Sequence, residues 1–155
     1  MKSMFQIIAT LACALALTAC GGGSDDDTVT VPADLASGLI KTDTVVGTGI
    51  EATAGDQVSV YYTGYLYDST KADGKGAKFE TTATGSPFTF VLGRGTVITG
   101  WDQGIAGMRV GGKRTLTIPY ALAYGSASRP AGALGVAIPS YAPLVFDVEM
   151  VAIKR

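Results

Sequence analysis

Apolar and polar residues alternate with a period of two in four stretches of the chain. In the first, Val58, Val60, Tyr62, Gly64 and Leu66 fall on one face, and Gln57, Ser59, Tyr61, Thr63 and Tyr65 on the other. Phe88, Phe90 and Leu92 alternate with Thr89 and Val91, and Leu116 shares a face with Ile118. Near the end, Leu144, Phe146, Val148 and Met150 oppose Val145, Asp147 and Glu149. This period is that of a strand. One apolar face per strand predicts antiparallel pairing with the other face in water.

The pattern changes once, over residues 99–108, where Trp101, Ile105 and Met108 recur at spacings of four and three and predict a short helix. Thr99 followed by Asp102 has the form of a capping box, with aspartate in the place of the usual glutamate. Gly104 and Gly107 each weaken such a helix by about 1 kcal/mol relative to alanine, so packing on the sheet must hold it together. Residues 68–78 and 126–143, rich in glycine, lysine or proline, are expected to be loops longer than a turn requires. Strands before and after a single helix predict an α+β domain, with the helix on one face of the sheet.

The 155 residues leave room for one domain of roughly 110 to 120 residues. Lys2 followed by a short apolar run from Ile7 to Leu17 reads as an export leader, too short for the about 20 apolar residues of a membrane span. Leu17, Thr18, Ala19 and Cys20 resemble a bacterial lipobox, in which Cys20 would carry the lipid; an ordinary secretory leader with an incidental cysteine is the other reading. Acyl chains at about 0.8 kcal/mol per buried methylene would hold the protein at a membrane surface. Residues 1–19 are thus expected to be a lipoprotein signal peptide, 20–38 a solvated tether rich in Gly, Asp, Ser and Thr, and 39–155 the folded domain. Gly21 after the cysteine, by resemblance to enteric lipoproteins, favours the outer membrane facing the periplasm.

Twelve basic and thirteen acidic residues nearly cancel and form no basic run, so nothing points to nucleic acid. Asp25, Asp26 and Asp27 are consecutive and lack the alternating ligands of a calcium loop. With no histidine, and cysteine only at Cys13 and Cys20, a His/Cys zinc site and a histidine-dependent triad are excluded. Gly93 and Gly95 lack the further glycine and the Lys-Ser/Thr pair of a phosphate loop. No cofactor or metal is expected. Rotation about a prolyl peptide bond is a reaction open to such a chain, because it breaks no bond. Its barrier of about 18–20 kcal/mol falls when a pocket binds the twisted amide better than the planar one.

Four blocks, VSVYYTGYL, FTFVLGRGTVITGWDQGIAGM, AYG and LVFDVEM, in this order, resemble the FKBP-type peptidyl-prolyl isomerases over residues 43–154. The resemblance implies a twisted antiparallel sheet curling around one short helix, and acceleration of rotation about Xaa-Pro bonds in exported or unfolded polypeptides. It places Trp101 beneath the proline ring, with Tyr62, Phe88 and Phe146 as aromatic walls, Phe79 among the substrate-binding residues, and Val97 and Ile98 as an aliphatic rim. The amide of Ile98 and the hydroxyl of Tyr124 match groups that bond substrate carbonyls, and Ile138 fits the flap over the pocket. Phe90 is expected in the core.

Glu80 stands where the family's commonest residue is aspartate, bonded to a tyrosine hydroxyl that here is Tyr62. It is one methylene longer, which bears on rate and on affinity for rapamycin-type macrolides, the other ligands the resemblance implies. Arg129 and Tyr141 replace frequent histidines in a flap lengthened by AGALGVA, where Ala137 replaces a bulkier aliphatic. These departures imply modest activity. A catalytically weak module that binds proline peptides or a partner is the alternative. Between Tyr124 and Leu144 there is no room for the chaperone domain that some relatives insert, and a monomer is expected.

Overall fold

The structure, a computed structural model, describes Leu35 and residues 38–155. The expected leader, Cys13, Cys20 and nearly all of the expected tether lie outside the described residues. Leu35, inside the tether as read from sequence, is buried.

Six strands form one antiparallel sheet: β1 (Ile40–Val45), β2 (Gln57–Tyr67), β3 (Lys75–Thr81), β4 (Phe88–Val91), β5 (Lys113–Ile118) and β6 (Leu144–Lys154). Their order is β1-β5-β6-β2-β3, and β4 lies along the other half of β2 from β3. The two 11-residue strands β2 and β6 form the spine, pairing Tyr62 with Val148 and Gly64 with Phe146. The helix α1 (Thr99–Ile105) covers the inner face, and a 3-10 turn (Tyr120–Leu122) follows β5. The α+β class, with the sheet wrapped on this short helix, is as the order of elements implied.

The alternation holds on the inner face, where Val58, Val60, Leu116, Ile118, Leu144, Phe146, Val148 and Met150 are buried together with Trp101, Ile105 and Met108. Four details differ. Val145 was expected in water and is fully buried: the turn at Gly74 and the Tyr67 ring close over the outer face there. Residues 75–78, expected in a loop, belong to β3, because a bulged register lets Lys75 and Lys78 pair with Tyr67 and Tyr65 along the edge of β2. Phe88, expected inward with Phe90, is 41% exposed; β4 begins at the rim of the core, so one side of the ring meets protein and the other meets water. β1 escaped the pattern because all six of its residues are exposed on an edge strand.

The helix ends at Ile105 rather than Met108, since Ala106 turns to an extended conformation and Gly107 takes φ +81°. Met108 is buried beyond it. Ile98, not Thr99, caps the N-terminus, and no side chain bonds there. The Asp102 carboxylate instead accepts from the N–H groups of Gly93 and Gly95, at 2.8 and 2.9 Å, and ties the preceding loop to the helix. At the other end, Arg114 donates to the carbonyls of Gly104 and Ala106 and pairs with Asp43 on β1 at 2.6 Å. Gly100 and Gly104 allow the close approach to β5: a Cβ on Gly100 would overlap Ile118, and one on Gly104 would lie 2.8 Å from two Leu116 carbons. The propensity cost of Gly104 is thus offset by contact with the sheet.

Candidate active site

Five aromatic rings meet where α1 enters under the sheet. Trp101, on the first turn, is 4% exposed and stands edge-on to Tyr62 of β2, with centroids 4.8 Å apart and planes at 86°. Phe146 of β6 is 5.3 Å from the indole, again nearly perpendicular, and Phe88 of β4 is 6.0 Å away. Phe79 of β3 stands perpendicular to Phe146 at 5.7 Å. Edge-to-face pairs are each worth about 0.5–1.5 kcal/mol beyond the area they bury. Gly64 makes this packing possible, because a Cβ there would come within 2.6 Å of Phe79 and 2.8 Å of Phe146.

These rings line a cavity of about 980 Å³, at the upper end of small-ligand sites. All ten residues singled out from the sequence reach it: Tyr62, Phe79, Glu80, Phe88, Val97, Ile98, Trp101, Tyr124, Ile138 and Phe146. Val97 and Ile98 arrive on the loop that Asp102 fastens. The Ile98 carbonyl accepts from Trp101 and Asp102 to open the helix, while its N–H donates to no acceptor among the described residues. Phe90 lies below the cavity, 5.7 Å from Trp101. The indole Nε1 is buried and has no hydrogen-bond partner among the described residues.

The flap, residues 126–143, is pinned rather than loose. Arg129 and Ile138 exchange two backbone hydrogen bonds of 2.8 and 3.0 Å across its base, and the Tyr141 N–H donates to Gly125 at 2.8 Å. Tyr141 holds φ 57°, unusual for a bulky residue, with its ring edge-on to Tyr120.

Sequence reasoning missed Thr82 and the flap residues Leu134 and Val136. Thr82 follows β3 and brackets Tyr62: its N–H donates to the Tyr62 carbonyl at 3.0 Å, and its hydroxyl accepts from the Tyr62 N–H at 3.0 Å. Leu134 and Val136 line the cavity from the added AGALGVA segment, and their apolar side chains among small residues were the available signal.

Burial raises the Tyr62 phenol well above its ordinary value of 10.0, and the charge of the Glu80 carboxylate adds to the rise. Tyr124 is raised too, by burial and then by Glu80, with Arg129 opposing. Both phenols are therefore neutral hydroxyl donors at physiological pH. The cavity has aromatic walls and a few hydroxyl or amide donors at its edge, and no activated nucleophile.

Residues 49–151 match the sequence profile of the FKBP-type peptidyl-prolyl cis-trans isomerases. The chain belongs to this family. Among its relatives is a peptidyl-prolyl cis-trans isomerase of Saccharomyces cerevisiae, 50% identical over 122 residues that cover 78% of this chain and 82% of the yeast protein. The 39 kDa FK506-binding nuclear protein of Drosophila melanogaster is 43% identical over 125 residues, 79% of this chain but only 31% of that larger protein. The crystal structure of AtFKBP13 superposes with a TM-score of 0.60 at 41% identity, over 76% of this chain and 94% of that one. A peptidyl-prolyl cis-trans isomerase of Pseudomonas syringae pv. tomato gives 0.58 at 36% identity, over 78% and 79%. As an FKBP-type isomerase, the chain accelerates rotation about Xaa-Pro bonds. The weak binding module considered from sequence gives way to an enzyme.

Proposed function

We propose that the aromatic cavity is where this isomerase turns over its prolyl substrates, with Trp101 beneath the proline ring and Tyr62, Phe79, Phe88, Phe146, Val97 and Ile138 enclosing it. The convergence of these side chains from four strands, the helix and the flap on one cavity is the observation that carries the reading. An apolar enclosure strips water from the planar amide, whose charge separation water stabilises, and so favours the twisted form. The Ile98 N–H and the Tyr124 hydroxyl hold the substrate carbonyls, and Tyr62, turned toward Glu80, shapes the polar edge. Each tenfold gain in rate requires about 1.4 kcal/mol of preference for the twisted amide. A few such donors and rings are enough.

The substrates in this reading are unfolded or newly exported polypeptides. The protein works as a monomer, tethered through a lipid on Cys20 to the outer membrane and facing the periplasm. The leader, the tetrapeptide ending at Cys20 and Gly21 support the anchor. Rapamycin-type macrolides are proposed to enter the same cavity, supported by relatives whose names describe them as FK506-binding.

Exchange NMR on an Ala-Leu-Pro-Phe peptide tests the site. Wild-type protein should broaden or exchange the cis and trans proline signals, and Trp101→Leu should remove most of that effect; equal rates for the two would refute the assignment. Mass spectrometry of the mature N-terminus tests the anchor, which an unmodified Cys20 would overturn.

A further inference from the structure

Two charged residues line the cavity, and they are differently engaged. Glu80 acts on the Tyr62 hydroxyl and, by charge, on Tyr124. Arg129 lies at the base of the flap, with its guanidinium carbon 4.6 Å from the centre of the Tyr124 ring. Its backbone is fixed by the two bonds to Ile138, so the stack is held from both sides. No carboxylate among the described residues lies within 4.0 Å of it; the ion pairs there involve Lys75, Arg109, Lys113, Arg114 and Arg155. Its side chain donates no hydrogen bond to any described residue, although a guanidinium carries five N–H donors. A guanidinium stacked on an aromatic face keeps those donors in its own plane, open at the edge, in the fork geometry that a carboxylate matches.

We propose that Arg129 is a specificity-determining residue, and that this isomerase selects Xaa-Pro bonds with an acidic side chain next to the proline. The inference rests on the cavity being the substrate site, as argued above. A proline seated over Trp101 carries its neighbours past Tyr124 and the flap base, where the substrate carboxylate meets the guanidinium edge. Tyr124 then has two tasks, bonding a substrate carbonyl with its hydroxyl and orienting Arg129 with its ring. Selection is electrostatic, so it weakens as salt is raised.

The test is protease-free exchange NMR on three matched peptide sets with Glu, Gln or Lys placed immediately before the proline, and three more with the same residues immediately after it. Because partly exposed charge pairs are worth about 0.2–1 kcal/mol, kcat/KM for the Glu peptide should exceed that for the Lys peptide by about 1.4- to fivefold on at least one side of the proline. That ratio should shrink toward one in 0.5 M salt. In Arg129→Gln the ratio should fall to one, and in Arg129→Glu it should invert, whatever happens to the rate on the Gln peptides. Ratios near one on both sides for the wild-type protein, at low salt, overturn the proposal while leaving the isomerase site intact. A wild-type protein inactive on every peptide would instead remove the site reading on which it stands. A preference that survives Arg129→Gln also overturns it, since the charge would then be read elsewhere.

Discussion

The two faces of the β2–β6 ribbon use the same register for opposite ends. Toward the helix it presents Tyr62, Gly64, Phe146 and Val148; Tyr62 and Phe146 line the aromatic cavity, and Gly64 leaves room for Phe79 and Phe146. Toward water it presents Tyr61, Thr63, Asp147 and Glu149, around a hollow of about 560 Å³ lined mainly by threonines and paired charges. Asp147 there accepts from Lys75 and from the Thr115 hydroxyl, both at 2.7 Å, and Glu149 pairs with Lys113 at 3.2 Å. Inside, rings meet edge to face and leave an indole N–H and a backbone N–H without partners among the described residues; outside, the charged groups are matched. Unmatched donors in a dry, apolar recess are available to a ligand, whereas matched charges in water contribute modestly to stability.

The contrast is sharpest at Trp101. Trp101→Leu should cost about 2–4 kcal/mol in chemical denaturation and lower kcat/KM at least about tenfold, since the ring is both core and cavity floor. A stable variant with full activity would erase the distinction between the faces. Gly64→Ala comes next: with Phe79 and Phe146 so close, the added methyl should cost about 1–3 kcal/mol and shift the ring-current NMR signals of the cavity residues.

Smaller effects separate the faces by pH and by salt. The Tyr62 phenol is raised in the fold, so it keeps its proton above pH 10 when the unfolded chain has lost it. Stability from this group is complete below the unfolded value near 10 and is lost as pH rises through the folded value. Glu80→Gln should lower the pH at which the folded phenol ionises while burial keeps it above the ordinary value, read from the Tyr62 ring signals in an NMR pH titration of the folded protein; an unchanged midpoint would show that the carboxylate does not act on the phenol. On the outer face, Lys75→Met should change stability by less than about 1 kcal/mol and leave kcat/KM alone, because the pair it breaks is partly exposed. A large loss of activity would mean that the outer hollow takes part in catalysis.

Much of this was legible in the residues. Alternation located β2, β4, β5 and β6 because each has one dry face, and ordered blocks of aromatic residues supplied the cavity. What escaped depended on contacts distant in sequence. β1 and the start of β3 are edges with little burial, so they carry no alternating signal. Asp102 looked like a cap but binds the loop nine and seven residues before it, a role set by how that loop folds back. Val145 looked wet because its cover comes from a turn some seventy residues earlier. Arg129 stood out in the sequence only as a departure; its stack on Tyr124 needed the flap to be seen in space.

Trp101 is the only tryptophan in the chain, so its fluorescence reports on the cavity floor alone. Titrating the protein with an Ala-Leu-Pro-Phe peptide, and following emission beside the isomerisation rate, tests the central claim. The account expects a saturable change in emission whose midpoint matches the substrate concentration at half-maximal rate. Catalysis that saturates while the emission stays constant would place the reaction somewhere other than over this indole.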